Sequence, residues 1–406
     1  MDSPTDAFDP PFDVLAPSSQ TSPAVFDSPH SGRIYPDSFL RLSRLDALAL
    51  RRSEDCYIDE LFGAAVGLGC PLLRANFPRA FLDLNREPYE LDPAMFADRL
   101  PGFANTTSMR VAGGLGTIPR IVSEHEEIYQ RPLAFAEVEA RIERLYRPYH
   151  LALQGLLQET AARFGHALLV DCHSMPSTAA PPGPGGRGRR ADLVLGDRYG
   201  STASAPLTEA LERAFVAQGF QVVRNKPYAG GFITQTHGRP HSGVHAIQVE
   251  INRALYVDER SLAPSRDFAA VKEALTAGPR RFHINADGRE FEIDAVSVMV
   301  ANVGELFARW LPLRFSLAPQ PTSAWRDGLL DVVIVAPRHV PDMAAILWRA
   351  ANRRFSGSDA LLHFKAREIV IDADPPIAVQ VDGDPAGMTP VSMSVMREAL
   401  HVLIPR

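Results

Sequence analysis

Cysteine is scarce. Cys56, Cys70 and Cys172 are the only three in the chain. They are widely scattered and lack CxxC spacing, which argues against a disulfide framework or a zinc knuckle and suits a reducing cytoplasm. Long apolar runs are missing too: no uninterrupted stretch of about 18 apolar residues could cross a bilayer as a helix. Positive charge is not in excess. The formal net charge of -6 has the wrong sign for a nucleic-acid footprint, which needs a basic face. Residues 1–20 lack the basic and apolar regions of a secretory signal; acidic and rich in Pro and Ser, they are expected to be disordered. What remains is an ordinary globular composition, 46% apolar and 22% charged, in 406 residues, enough for two domains with a core each. The expectation is a soluble, cytoplasmic protein; oligomeric state leaves no mark in the sequence.

Against this plain background, three short apolar runs end in groups that can bind a metal or move a proton. Ala24-Val25-Phe26 leads into Ser28-Pro29-His30-Ser31-Gly32, Ala167-Leu168-Leu169-Val170 into Asp171-Cys172-His173-Ser174, and His245-Ala246-Ile247-Gln248-Val249 into Glu250. Such runs between turn signals read as buried strands, and in open α/β sheets ligands bind outside the carboxyl ends of the strands. Two histidines and a glutamate can therefore meet at one edge of one sheet. Residues 37–67 read as mostly helical, 71–76 as a short strand, and 133–164 as a long amphipathic helix that Pro148 should kink or split. A helix over 207–218 and a strand over 220–224 continue the alternation, which implies a mostly parallel sheet with helices on both faces.

From Arg281 the texture changes to short period-two strands, with an Ala286-Asp287-Gly288 turn and a single helix over 341–353. That pattern predicts a smaller, antiparallel, β-rich domain. The expected division is an α/β domain over 21–275 and a second domain over 281–406.

A catalytic divalent metal such as zinc takes three protein ligands and leaves a fourth position open. His30 and His173 offer the nitrogens. A carboxylate should complete the set, and Glu54, Asp55 and Asp59 are the candidates, Asp55 foremost, although an aspartate near a helix start equally suits an N-cap. Glu250 closes a strongly apolar run, where a carboxylate is costly unless paired or functional. It either pairs with Arg253 or carries a proton from the attacking water to the leaving nitrogen. Arg86 offers a fork for a carboxylate on a small acidic substrate, with Asn85 as a neutral donor beside it.

The order of these groups resembles that of zinc carboxypeptidases. A closer resemblance, over about residues 20–275, is to the N-formylglutamate amidohydrolase family. Seven blocks carry it: Ser28-Pro29-His30-Ser31-Gly32, Asp55-Cys56-Tyr57-Ile58-Asp59, Asp83-Leu84-Asn85-Arg86, Gly114-Leu115-Gly116-Thr117-Ile118-Pro119, Asp171-Cys172-His173-Ser174-Met175-Pro176, Asn225-Lys226-Pro227-Tyr228-Ala229-Gly230-Gly231 and Gln248-Val249-Glu250-Ile251-Asn252-Arg253-Ala254-Leu255-Tyr256. The resemblance implies a phosphorylase/hydrolase-like, zinc-carboxypeptidase-like α/β fold and hydrolysis of N-formyl-L-glutamate to L-glutamate and formate, at the end of histidine degradation. It makes His30, Asp55 and His173 ligands of one catalytic Zn2+, Glu250 the acid/base, and Asn85, Arg86 and Arg253 the groups that hold the substrate's carboxylates. The carboxypeptidase pattern would place a glutamate three residues after His30; this chain departs from it with Arg33 there, and the third ligand stays open between Asp55, which the resemblance favours, and Glu54 or Asp59.

The tail resembles the C-terminal domain of bacterial diacylglycerol and related lipid kinases, over about residues 280–406. Ala301-Asn302, Leu317-Ala318-Pro319, Asp327-Gly328-Leu329-Leu330-Asp331-Val332-Val333 and Val379-Gln380-Val381-Asp382-Gly383-Asp384-Pro385 carry that likeness. It implies a base role for Asp382, with Asp384 where glutamate is expected, and a structural Mg2+ near Asp327. Phosphoryl transfer also needs a glycine-rich cradle for a nucleotide. The one candidate, Ala112-Gly113-Gly114-Leu115-Gly116-Thr117, belongs to the amidohydrolase blocks. No kinase activity is expected, and Asp382-Gly383-Asp384 reads as a hairpin turn. The alternative for the whole chain is a lipid-kinase-related protein whose tail contacts a lipid or a protein partner.

Overall fold

The computed structural model describes residues 4–395 apart from 123–125, 185–188, 276–279, 296, 302–304, 307–314, 317–327, 336–360, 375 and 382–383. The chain divides into two compact units, residues 1–216 with 220–276, and residues 277–406 with 217–219.

The first unit is built on seven strands: β1 (Phe12–Leu15), β2 (Ala24–Ser28), β3 (Leu72–Ala75), β4 (Ala167–Met175), β5 (Leu193–Gly196), β6 (Val222–Arg224) and β7 (Val244–Asn252). Their order across the sheet is β1-β3-β2-β4-β7-β5-β6. The pairs β2/β3, β2/β4, β4/β7 and β5/β6 are parallel, while β1/β3 and β5/β7 are antiparallel. The sheet is thus mostly parallel, and helices cover both faces.

Alternation along the central strands explains where chemistry can sit. On one face, Val25, Leu169 and Ala246 pack against Val138, Ile142, Leu145, Tyr149 and Leu153 of the helical segment across 135–164. On the other, Val170, Cys172, Ile247, Val249 and Ile251 pack against Ile58, Leu61, Phe62 and Phe215. Nearer the carboxyl ends, the first face changes character: at period two from Leu169 and Ala246 come Asp171 and His173 on β4, then Gln248 and Glu250 on β7. An apolar side chain at any of these positions would gain about 2 kcal/mol from burial. The polar groups forgo that gain.

The ladder between β4 and β7 continues through these polar positions to Met175 and Asn252, beyond the ends of the apolar runs. Backbone pairing satisfies its own donors and acceptors whatever the side chains are.

The helical segment splits where Pro148 predicts. A helix over Phe135–Arg141 passes through a π-turn, Ile142–Tyr146, into a second helix, Arg147–Phe164, with Pro148 in its first turn. The π-turn shifts the hydrogen-bond register directly ahead of the proline, which has no N–H to give. Gly165, at φ 79°, ends the helix, and its N–H reaches Ala161 O.

Two expectations are corrected. Residues 4–20 are ordered rather than disordered: β1 pairs with β3, and Phe8, 2% exposed, packs on Phe77 and Phe81. A few aromatic anchors outweigh a Pro- and Ser-rich average. Residues 37–67 form only short helices, Asp37–Leu40, Ala47–Arg51 and Ile58–Leu61, joined by turns.

In the second unit, one antiparallel sheet is ordered Val391–Ser394, Glu368–Asp374, Arg280–Ala286, Arg289–Ala295. Another is ordered Ser297–Ala301, Leu330–Val335, Leu361–Ala366. Asp287 at φ 51° and Gly288 at φ 81° make the tight turn between the first hairpin's strands. Phe282, Ile284, Val332, Ile334, Ile369 and Ile371 form the core. Asp327, Asp382 and the expected helix over 341–353 lie outside the described residues. Asp384 opens the strand Asp384–Met388, opposite Val381 of Ala378–Val381.

Candidate active site

His30 follows β2 by two residues, in a turn that approaches the chain at Phe77 closely. A Cβ on Gly32 would lie 2.1 Å from the Phe77 carbonyl oxygen, so glycine is needed there. His173 sits on β4, directly opposite Glu250 of β7. Asp55 arrives from the turn before the helix Ile58–Leu61. It does not cap that helix, whose N-cap is Tyr57 in the left-handed region at φ 60°.

The three side chains converge. One ligand-capable atom from each of His30, Asp55 and His173 lies within 4.8 Å of the others, and all three residues are buried. Asp55 Oδ2 is 3.4 Å from His30 Nδ1 and 2.9 Å from His173 Nδ1. His30 Nδ1 has no hydrogen-bond partner although it is buried. The opposite ring nitrogens are also held by carboxylates: His30 Nε2 is 2.8 Å from Asp83 Oδ1, and His173 Nε2 is 2.7 Å from Asp171 Oδ1. Two imidazoles oriented by outer carboxylates, with a third carboxylate between them, form a donor set that fits a divalent metal.

The other carboxylate candidates are engaged elsewhere. Glu54 pairs with Arg51 at 3.1 Å and accepts from the Cys56 thiol at 3.3 Å. Asp59 pairs with Arg33 at 2.8 Å and Arg74 at 3.2 Å.

Electrostatics follow from burial and pairing. Burial alone would raise Asp55, but the hydrogen bond to His173 and the nearby His30 imidazole hold it well below the usual carboxylate range. Burial likewise opposes a charge on His173, yet Asp171 and Asp55 raise its pKa well above the ordinary histidine value. Asp27, in register with Asp171, is driven the other way: burial and the Asp171 charge push it far up.

Beside the cluster opens a cavity of about 390 Å³ lined by His30, His173, Glu250, Arg79, Asn85 and Arg86, among others. Burial pushes Glu250 up to about 7, with repulsion from Asp55 and Asp171 partly offset by His173 and Arg79. Gln248 Nε2 donates to Glu250 Oε1 at 2.7 Å, while Gln248 Oε1 accepts from the Gly231 N–H at 2.8 Å. Arg79 Nε donates to Asp83 Oδ2 at 3.0 Å, so one carboxylate ties this guanidinium to His30.

Asn85 Nδ2 lies 3.1 Å from His173 Nε2, and Asn85 Oδ1 accepts from the Ile233 N–H at 2.8 Å. A Cβ on Gly231 would sit 2.2 Å from Asn85 Oδ1, which explains one glycine of the Gly230-Gly231 pair. Arg86 donates to the Leu115 and Asn85 carbonyls at 2.7 and 2.8 Å. Its pKa is lowered, by burial first and by Arg79 and Arg110 nearby, and Arg110 also lines the cavity. Several guanidinium groups around one cavity suit an anionic guest.

The sequence reading assigned no part to Asp83, Asp171, Gln248 or Arg79. Asp83 and Asp171 stood inside the quoted blocks, and Gln248 shares the period-two face of Glu250. For Arg79, spacing from the Asp83 block was the only signal.

Residues 22–257 match the family described as N-formylglutamate amidohydrolase, and residues 241–404 match the YegS C-terminal NAD kinase beta sandwich-like domain. The N-formylglutamate deformylase of Pseudomonas putida is 29% identical over 240 residues, 58% of this chain and 82% of that protein. The deformylase of Pseudomonas aeruginosa is 31% identical over 259 residues, 63% of this chain and 89% of its own length. The crystal structure of N-formylglutamate amidohydrolase from Ralstonia eutropha JMP134 matches with a TM-score of 0.61 at 36% identity, covering 66% of this chain and 94% of that one. The expected α/β architecture and the expected resemblances to the N-formylglutamate amidohydrolase family and to the lipid-kinase C-terminal domain are found. Among the described residues no helix is long and apolar enough to cross a membrane.

Proposed function

The chain belongs to the N-formylglutamate amidohydrolase family, and from that premise we propose that its first unit, over about residues 21–275, hydrolyses N-formyl-L-glutamate to L-glutamate and formate. The observation that carries this reading is the meeting of His30, Asp55 and His173 beside Glu250 in an arginine-lined cavity. Two imidazole nitrogens and one carboxylate oxygen suit Zn2+. When bound there, zinc lowers the pKa of a water toward neutrality and polarises the formyl carbonyl.

The chain's own residues supply the rest. Asp83 and Asp171 hold the two imidazoles so that both Nδ1 atoms face Asp55. Glu250, with a pKa of about 7, is poised to take a proton from the attacking water and deliver it to the departing amine nitrogen. Gln248 fixes the carboxylate that does so. Arg79, oriented by Asp83, presents its remaining N–H groups to charge that develops on the formyl oxygen. Asn85 and Arg86 at the wall of the cavity receive the substrate's carboxylates, and Arg253 was expected to join them. The hydrolysis is the closing step of histidine degradation, carried out in the cytoplasm.

The second unit, over about residues 281–406, serves as a contact surface for a lipid or a protein partner. Its match is to a beta sandwich-like domain, and Asp327, the residue that the kinase resemblance ties to a structural Mg2+, lies outside the described residues. The decisive assay compares formate release from N-formyl-L-glutamate with release of the acyl group from N-acetyl-L-glutamate and N-formyl-L-leucine. Turnover confined to N-formyl-L-glutamate supports the reading; turnover of none of the three rejects it.

A further inference from the structure

Arg253 opens the short 3-10 turn Arg253–Leu255 directly after β7, three residues beyond Glu250. Its side chain is only 7% exposed. Three of its nitrogens are engaged: Nε donates to Ser174 Oγ at 3.0 Å, NH1 to the Arg52 carbonyl at 2.9 Å, and NH2 to Asp55 Oδ1 at 3.0 Å. Ser174 Oγ donates to the same Asp55 oxygen at 3.1 Å. Asp55 Oδ1 therefore already accepts two hydrogen bonds. Only Oδ2 is turned toward His30 Nδ1 and His173 Nδ1. The bond to Arg52 O also pins the turn that carries Asp55, so both the backbone and the carboxylate are fixed by one guanidinium.

We propose that Arg253 is a positioning residue for the metal centre: with Ser174 it occupies one oxygen of Asp55 and leaves the other as the single oxygen offered to the ion. This inference rests on the metal-site reading above. It gives Arg253 a task different from gripping substrate, the role expected from its place in the Gln248 to Tyr256 block. Geometry favours the new task, because a planar fork already bonded on three sides is preorganised toward Asp55.

The test is zinc affinity of the full chain, measured by competition with a chromogenic chelator, for the unaltered protein and for Arg253→Met, Arg253→Lys and Ser174→Ala, alongside kcat and KM at saturating zinc. Removing a group that orients a ligand typically weakens metal binding 10–100-fold. Arg253→Met should show a loss of that size, Ser174→Ala a smaller loss, and Arg253→Lys a partial recovery. With zinc saturating, KM should stay within about twofold.

Should Arg253→Met fail to fold, Ser174→Ala carries the test: unchanged zinc affinity in that variant overturns the proposal. Unchanged affinity in Arg253→Met together with a tenfold rise in KM would place the guanidinium on substrate instead. An unaltered protein that binds no zinc rejects the metal-site reading, and this inference with it; tight binding that all variants retain rejects this inference alone.

Discussion

His30 Nε2 lies 2.8 Å from Asp83 Oδ1, so the ring nitrogen facing away from Asp55 is held by a carboxylate 53 residues along the chain. His173 repeats the arrangement with Asp171. Each histidine is thus aimed, and its Nδ1 is made a better donor, by a partner outside the ligand set. Asp171→Asn should lower zinc affinity about 10–100-fold while leaving the sheet intact. Chelator competition with circular dichroism on the same sample checks both halves of that expectation.

Replacing Glu250 by Gln keeps the shape and the Gln248 contact but removes the proton acceptor. The expected result is a fall in kcat of about 10²–10⁴-fold, with zinc content unchanged. Single-turnover formate release read beside metal content separates loss of the base from loss of the ion.

Gln248 donates to Glu250 Oε1 at 2.7 Å, a bond that favours the ionised carboxylate. Gln248→Leu should raise the Glu250 pKa from its value of about 7. A base works when deprotonated, so activity climbs as pH rises through that pKa. The acidic limb of the kcat/KM profile should move to higher pH in the variant; a limb that moves down, or stays fixed, counts against Glu250 as the base.

His150 and His237, stacked with ring centroids 6.0 Å apart, give a prediction independent of catalysis. Burial lowers His150 to about 3, with His237 adding repulsion, and lowers His237 to about 4. In the unfolded chain both titrate near 6.5. The unfolded state therefore binds more protons below that pH, and stability is lost as pH falls from about 6.5 toward the folded values, by about 1.4 kcal/mol per unit for each histidine once well inside the window. Urea midpoints between pH 7 and pH 5 should drop in the unaltered protein and drop less in His150→Phe.

Much of the site was legible because its information is local. The switch from apolar to polar residues at His30, Asp171-Cys172-His173 and Glu250 is written along single strands, and Pro148 marked its own break. The turn at Asp55 was less legible: the tertiary bonds from His173, Ser174 and Arg253 decide what that carboxylate does, and no local rule contains them. The outer carboxylate Asp83 was read without a task for the same reason, since its bond to His30 spans 53 residues; Asp171, two residues before His173 on the same strand, lies on the period-two face where its contact is local. Residues 4–20 misled because composition averages over the few residues, Phe8 foremost, that anchor the segment. The boundary between the two textures near residue 280 was visible because period-two patterning replaced alternating strands and helices.

The measurement that tests the central claim most directly is zinc content titrated against formate release. The protein is stripped with chelator, reloaded stepwise, and assayed on N-formyl-L-glutamate. The account predicts activity that vanishes on stripping, returns in proportion to added zinc, and saturates at one ion per chain, with no return in His173→Ala. Full activity in the stripped protein, or full recovery in His173→Ala, would contradict it.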